Sequence, residues 1–284
     1  MERIMKIRFV AALPILLASA AGCGGAGPPQ ATVTATSTVT ASATVTAATT
    51  ATATATASAT ATVRATVAPS SPGREEFLVA GYYQPLWPFA DARQAREWTA
   101  RYRSQGHQPW HLDAAFTARA FTRDYLGYKQ IDQIVSTRLE GRHARVSVGF
   151  RSSESRRPLT AAVIHLVRYG TGKHAPWEVV GTDDTTFTLT TPEYGSAVRS
   201  PVTVGGRITG VDESIRVRVH QLWSAGPLGE TAGTPAGGEK QPWSTRVAFK
   251  GRPGRVATVV ATTGGHIAEV ERFAVTGVTV MATP

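Results

Sequence analysis

The sequence predicts an α+β module followed by an all-β sandwich, both carried on a disordered N-terminal stalk. Three observations lead there. Two amphipathic helical stripes between Asp91 and Gly127 run into alternating strands. After Thr191 the text changes to short strands punctuated by Gly and Pro. From Ala31 to about Val67 the chain is almost wholly Thr, Ala, Ser and Val. The boundaries read as residues 1–22, 23–73, 74–188 and 189–284.

The N-terminus opens with a basic stretch holding Arg3, Lys6 and Arg8, followed by an apolar run from Phe9 to Leu17. That run is too short to span a bilayer, which needs about 20 apolar residues, and has the layout of a secretory signal. After it comes Ala18-Ser19-Ala20-Ala21-Gly22-Cys23, which resembles the lipobox of bacterial lipoproteins, with Ala20 where a larger aliphatic residue is usual. The resemblance implies removal of residues 1–22, acylation (palmitate among the chains) of Cys23, and a lipid anchor outside the cytoplasm. A plain secretory signal cut nearby is the alternative. Cys23 is the single cysteine of the chain, so no disulfide forms within it.

Stalk residues 23–73 carry Arg64 as their one charge and no aromatic side chain. Side chains this small bury too little area to offset the entropy of ordering. As a flexible coil, the stretch from Gln30 to Gly73 has an end-to-end distance of about 35 to 40 Å. Its Thr and Ser density suits either an O-glycosylated stalk or an unmodified spacer.

In the α+β module, Asp91 is placed to cap a helix with Ala95, Trp98 and Tyr102 on one face, and Gly106 ends it. Asp113 is placed to cap a second, with Ala114, Ala118, Phe121 and Tyr125 on one stripe before Gly127. Strand signals follow at 131–140, 143–151, 159–168 and 177–181. Helices first, then an antiparallel meander, resembles the cone-shaped fold of nuclear-transport-factor-like and ketosteroid-isomerase-like proteins. That resemblance implies an apolar pocket, for which Tyr125 and Asp132 are candidate groups.

The segment from Gly106 to Asp113 concentrates His107, Trp110, His111 and Asp113. One reading makes His107, His111 and Asp113 metal ligands. The preferred one makes Trp110 a core anchor and Asp113 a helix cap, because Pro109 interrupts any helix that would align the histidines. No metal or cofactor is therefore expected. Nor does the chain contain a nucleophile elbow, a phosphate-binding glycine loop or a paired-carboxylate signature, so a non-enzymatic role is expected.

From Thr191 the strand signals fall at 202–208, 214–222, 244–250, 255–262 and 270–280, the spacing of a β-sandwich. Ile215, Val217 and Val219 alternate with Arg216, Arg218 and His220. Within the run from Thr191 to Gly206, the residues Gly195, Val198, Ser200, Pro201 and Gly206 are similar in register to the opening of the bacterial spore-germination immunoglobulin-like domain that accompanies GerMN modules. Gly210-Val211-Asp212-Glu213 fits as well. Gly226 to Gln241 is longer than that family's hairpin, and Glu269-Val270-Glu271-Arg272 replaces its acidic ending. The resemblance implies an immunoglobulin-like accessory module of envelope proteins, with no catalytic residues. A high Arg to Lys ratio beside the Thr/Ala tract resembles chains from GC-rich actinobacterial genomes.

The formal net charge is +10, and +8 once residues 1–22 are removed. Outside the cell, such a charge faces anionic lipids, wall polymers and acidic proteins rather than nucleic acid. Arg207, Arg216, Arg218, His220 and Arg246 are candidates for an anion- or partner-binding face, the alternative being an ordinary solvated sheet face. The expected function is that of a lipid-anchored envelope protein acting as a binding or adaptor module through its immunoglobulin-like domain. A small-ligand carrier or enzyme using a pocket of the α+β module is the alternative.

Overall fold

The computed structural model describes residues 77–282, so the expected signal, Cys23 and the stalk lie outside the described residues. The described chain is mostly β, with two sheets and few helices.

Helix α1 spans Ala92–Gln105; Asp91 caps it by accepting the Gln94 N–H at 2.9 Å, and Gly106 ends it at φ 66°. Only a residue tolerant of left-handed backbone stops a helix this way, and glycine does so without a Cβ penalty. Helix α2 spans Ala114–Ala120, with Asp113 Oδ1 accepting the Phe116 N–H at 3.0 Å. Its apolar stripe continues through Phe121–Tyr125 as one π-helical stretch rather than a regular α-helix.

Strands β1 (Gln133–Glu140), β2 (His143–Phe150), β3 (Leu159–Arg168) and β4 (Trp177–Thr182) then form an antiparallel meander in chain order. One face carries Val146, Val148, Ile164, Leu166, Trp177 and Val179 and packs with Ala118 and Phe121. The other face presents Val167, Tyr169 and Val180 to Trp98 of α1. Period-2 alternation thus serves two helical layers, one on each side of this sheet.

The second sheet contains β5 (Ala197–Val198), β6 (Val202–His220), β7 (Gly229–Glu230), β8 (Thr234–Val247), β9 (Val256–Thr263) and β10 (Arg272–Val280). Their order is β5-β10-β9-β6-β7, with β8 paired to β6. The two strand signals expected at 202–208 and 214–222 are one strand. The stretch from Val202 to Ile215 pairs with β8 and the last residues, Arg216 to His220, with β9. Register shifts at Ile208/Gly210 and Gly210/Glu213 bend it between the two partnerships.

Ile215, Val217 and Val219 are wholly buried in a core shared with Val204, Ile208, Val247, Val259 and Val278. On β9 and β10 the alternate residues Val260, Phe273 and Val275 point the other way, into the core of the first sheet. Thr182 of β4 accepts the Val275 N–H through its hydroxyl at 3.0 Å. The described residues belong to one compact unit for this reason.

Candidate functional site

The segment before α1 starts the site. Leu86 N–H donates to the Val179 carbonyl at 3.0 Å, and Val179 N–H to the Trp87 carbonyl at 2.8 Å, which lays this segment along β4. Phe89 N–H donates to Glu178 Oε2 at 3.1 Å. Glu178 is wholly buried, and that burial holds its carboxyl well above the usual range. Burial thus favours the neutral carboxyl, and its Oε2 pegs the segment by accepting the Phe89 N–H.

Trp87 and Phe89, fixed in this way, form one wall of a trough of about 450 Å³. Helix α1 adds Gln94, Glu97, Trp98 and Arg101, and the 3₁₀ turn Pro109–Leu112 adds Trp110 and His111. Trp87 stacks on Trp110 at 5.5 Å between centroids, Trp110 on His111 at 3.6 Å, and Trp98 meets His111 edge-on at 4.9 Å.

Two polar atoms in this wall have no protein partner among the described residues: Trp98 Nε1 and His111 Nδ1. Their side chains are only 1% and 4% exposed. Buried polar groups are nearly always paired, and these are two of thirteen buried side-chain atoms left unpaired among the described residues. Desolvation, with a smaller contribution from His107, lowers the His111 pKa to about 3, so the ring is neutral. Its Nε2 lies 3.3 Å from Gln108 Oε1, which can only accept. Set against that oxygen, Nε2 carries the proton and Nδ1 is left as an acceptor that is closed off from solvent, as is Trp98 Nε1.

Trp223 closes the far side and is 77% exposed. It occupies the third position of a turn closed by Ser224 N–H to the Gln221 carbonyl at 3.1 Å, with φ 69°. That position favours Gly or Asn; a bulky aromatic there carries backbone strain with no burial to offset it. Gln221 anchors the turn: its Oε1 accepts the Arg252 N–H at 2.8 Å and its Nε2 donates to the Arg252 carbonyl at 3.1 Å. A second cavity, of about 150 Å³, continues past Trp223 and Gln94 to Arg252 and Arg255. Neither arginine forms an ion pair among the described residues.

No family model matches this chain, and no curated protein or solved structure matches it.

The structure divides the five residues expected on one basic face. Arg207 and Arg246 lie on the part of β6 and β8 that pair with each other, and Arg207 donates to the Lys240 carbonyl at 3.0 Å. Arg216 and Arg218 lie where β6 meets β9, and Arg218 is paired with Glu230 at 2.9 Å. His220 corrects the expected face outright. It is 4% exposed, packs on Tyr125 at 5.6 Å, and burial lowers its pKa to about 4. The helical layer covers the end of that strand, which alternation within the strand cannot reveal.

Of the other candidates, Asp113 is a helix cap and His111 lines the trough. Tyr125 lies 3.5 Å from Thr258 Oγ1, its pKa pushed up to about 12 by burial, and Asp132 is exposed beside Gln133. Trp87, Gln94, Trp223 and Arg252 were missed by sequence reasoning. Trp223 left one usable signal, a large aromatic inside a polar turn. Both linings are built chiefly from aromatic, amide and arginine side chains, with Glu97 and His111 in the trough, and they offer stacking, hydrogen bonds and charge.

Proposed function

We propose that this protein is a non-enzymatic binding protein of the cell envelope, held by lipid on Cys23, that engages its ligand in the tryptophan trough. The observation that carries the reading is Trp223, exposed and at a strained turn position opposite a wall with two unpaired polar atoms. Strain of this kind persists where surrounding structure imposes it, and it gathers at sites of use.

The immunoglobulin-like reading of the second module and the cone-like reading of the first both fit the element order and belong to this proposal. So does the resemblance to the spore-germination domain. The adaptor and small-ligand readings converge here, because the trough draws Trp98 from the first region and Trp223 from the second.

A photo-crosslinking residue at position 223 of the full chain in intact cells should give a discrete adduct. The same residue at Leu139, also exposed, should not. Equal labelling from both positions would defeat the proposal. Incorporation of an alkyne-bearing palmitate analogue into the wild type, and its loss in Cys23→Ser, tests the anchor separately.

A further inference from the structure

We infer that the trough takes a glycan whose sugar rings carry acid groups, one ring lying on Trp223 and the acid reaching Arg252 and Arg255. The inference rests on the binding reading above and names its ligand class.

Three features of the lining select that class. An exposed indole offers a flat apolar face, which the axial C–H groups of a pyranose ring cover well. Gln94 and Gln108 line the trough, each with an amide that donates through nitrogen and accepts through oxygen. A hydroxyl group both donates and accepts, so a polyhydroxylated ligand suits both kinds of partner. The continuing cavity supplies Arg252 and Arg255, whose guanidinium groups suit carboxylate or phosphate oxygens.

Proline-rich segments also dock in aromatic-lined grooves. They carry no anion for the two arginines. A quaternary ammonium ligand suits an aromatic cage but is repelled by Arg101, Arg252 and Arg255. A phosphate-linked polyol without rings matches the arginines and leaves the indole faces uncovered.

The test uses the full chain in detergent, titrated by calorimetry and tryptophan fluorescence with four probes. These are a tetramer of galacturonic acid, a neutral glucose tetramer, a glycerol phosphate hexamer and a proline-rich decapeptide. The galacturonate tetramer should bind and quench. Its affinity should fall at least about tenfold in Trp223→Gly and roughly fivefold in Arg252→Gln/Arg255→Gln, and should weaken with salt. The arginines are exposed, so the double variant is expected to keep the fold, and its melting profile checks this.

Equal binding of the neutral tetramer would overturn the acid requirement, and with it the inference. Tighter binding of the polyol phosphate, unaffected at Trp223, would overturn the ring requirement. Preference for the decapeptide would replace a glycan by a peptide while leaving the binding reading intact. If no probe binds and the position-223 crosslinker also gives no adduct, the binding reading itself fails.

Discussion

At the scale of single residues, Trp223 separates function from stability. A left-handed non-glycine residue costs about 1 to 2 kcal/mol, and glycine's extra freedom in the unfolded chain takes part of that back. Trp223→Gly should therefore melt within about 1 kcal/mol of the wild type or slightly above it, while losing ligand binding. A large destabilisation would mean that Trp223 is structural. Buried ionisable groups make a second prediction. His111 and His165 are lowered to about 3 and His220 to about 4, chiefly by desolvation, so the unfolded chain binds protons there that the fold refuses. Their contribution is complete above about 6.5 and is lost as pH falls. Glu178 is raised, so its contribution runs the other way: it is present below the ordinary carboxylate range and is lost as pH rises through the folded value. Glu178→Gln keeps an acceptor for the Phe89 N–H and removes the charge. Its urea midpoint should exceed that of the wild type at neutral pH and stay flat where the wild type declines.

At the scale of elements, β6 and β10 carry most of the organisation. Gly206 of β6 lies so close to the crossing segment before it that a Cβ would sit 2.0 Å from the Thr188 carbonyl oxygen. Thr188 N–H donates to the Arg207 carbonyl at 2.9 Å, so the neighbour cannot easily withdraw. Gly206→Ala should destabilise by roughly 1 to 3 kcal/mol by overpacking, read as a drop in melting temperature. Strand β10 serves two cores, with Phe273 and Val275 on one face and Ala274, Val278 and Val280 on the other. Phe273→Ala should cost about 3 to 5 kcal/mol. Far-UV dichroism and fluorescence of the tryptophans near α1 should report that loss in a single transition.

For the whole molecule, the shared core sets the folding unit. Residues 74–188 alone would expose the face of the meander that Val260, Phe273 and Val275 cover. That fragment should give a poorly dispersed amide spectrum and no cooperative melt, whereas the chain through residue 284 should unfold in one step. Independent, sharp melting of the fragment would show that the contact is dispensable. The site has the same dependence: Gln221 holds the Trp223 turn to Arg252, and Gln94 of α1 lines the cavities on both sides of it.

Local chemistry was legible in the sequence wherever the cause was local. Asp91, Gly106 and Asp113 mark helix ends because capping and left-handed backbone depend on a few neighbouring residues, and the strand at 159–168 shows in its own composition. The inward set Ile215, Val217 and Val219 was legible for the same reason, since side-chain alternation is a property of one strand. Tertiary structure alone decided that 202–220 is one bent strand shared between two partners, because the bend is imposed by β8 and β9. It alone decided that His220 is buried, since the covering layer comes from Tyr125, distant in sequence. The trough belongs to the same class: Trp223 lies far along the chain from Trp87, Trp98 and Trp110, and the four meet only because two regions close on each other.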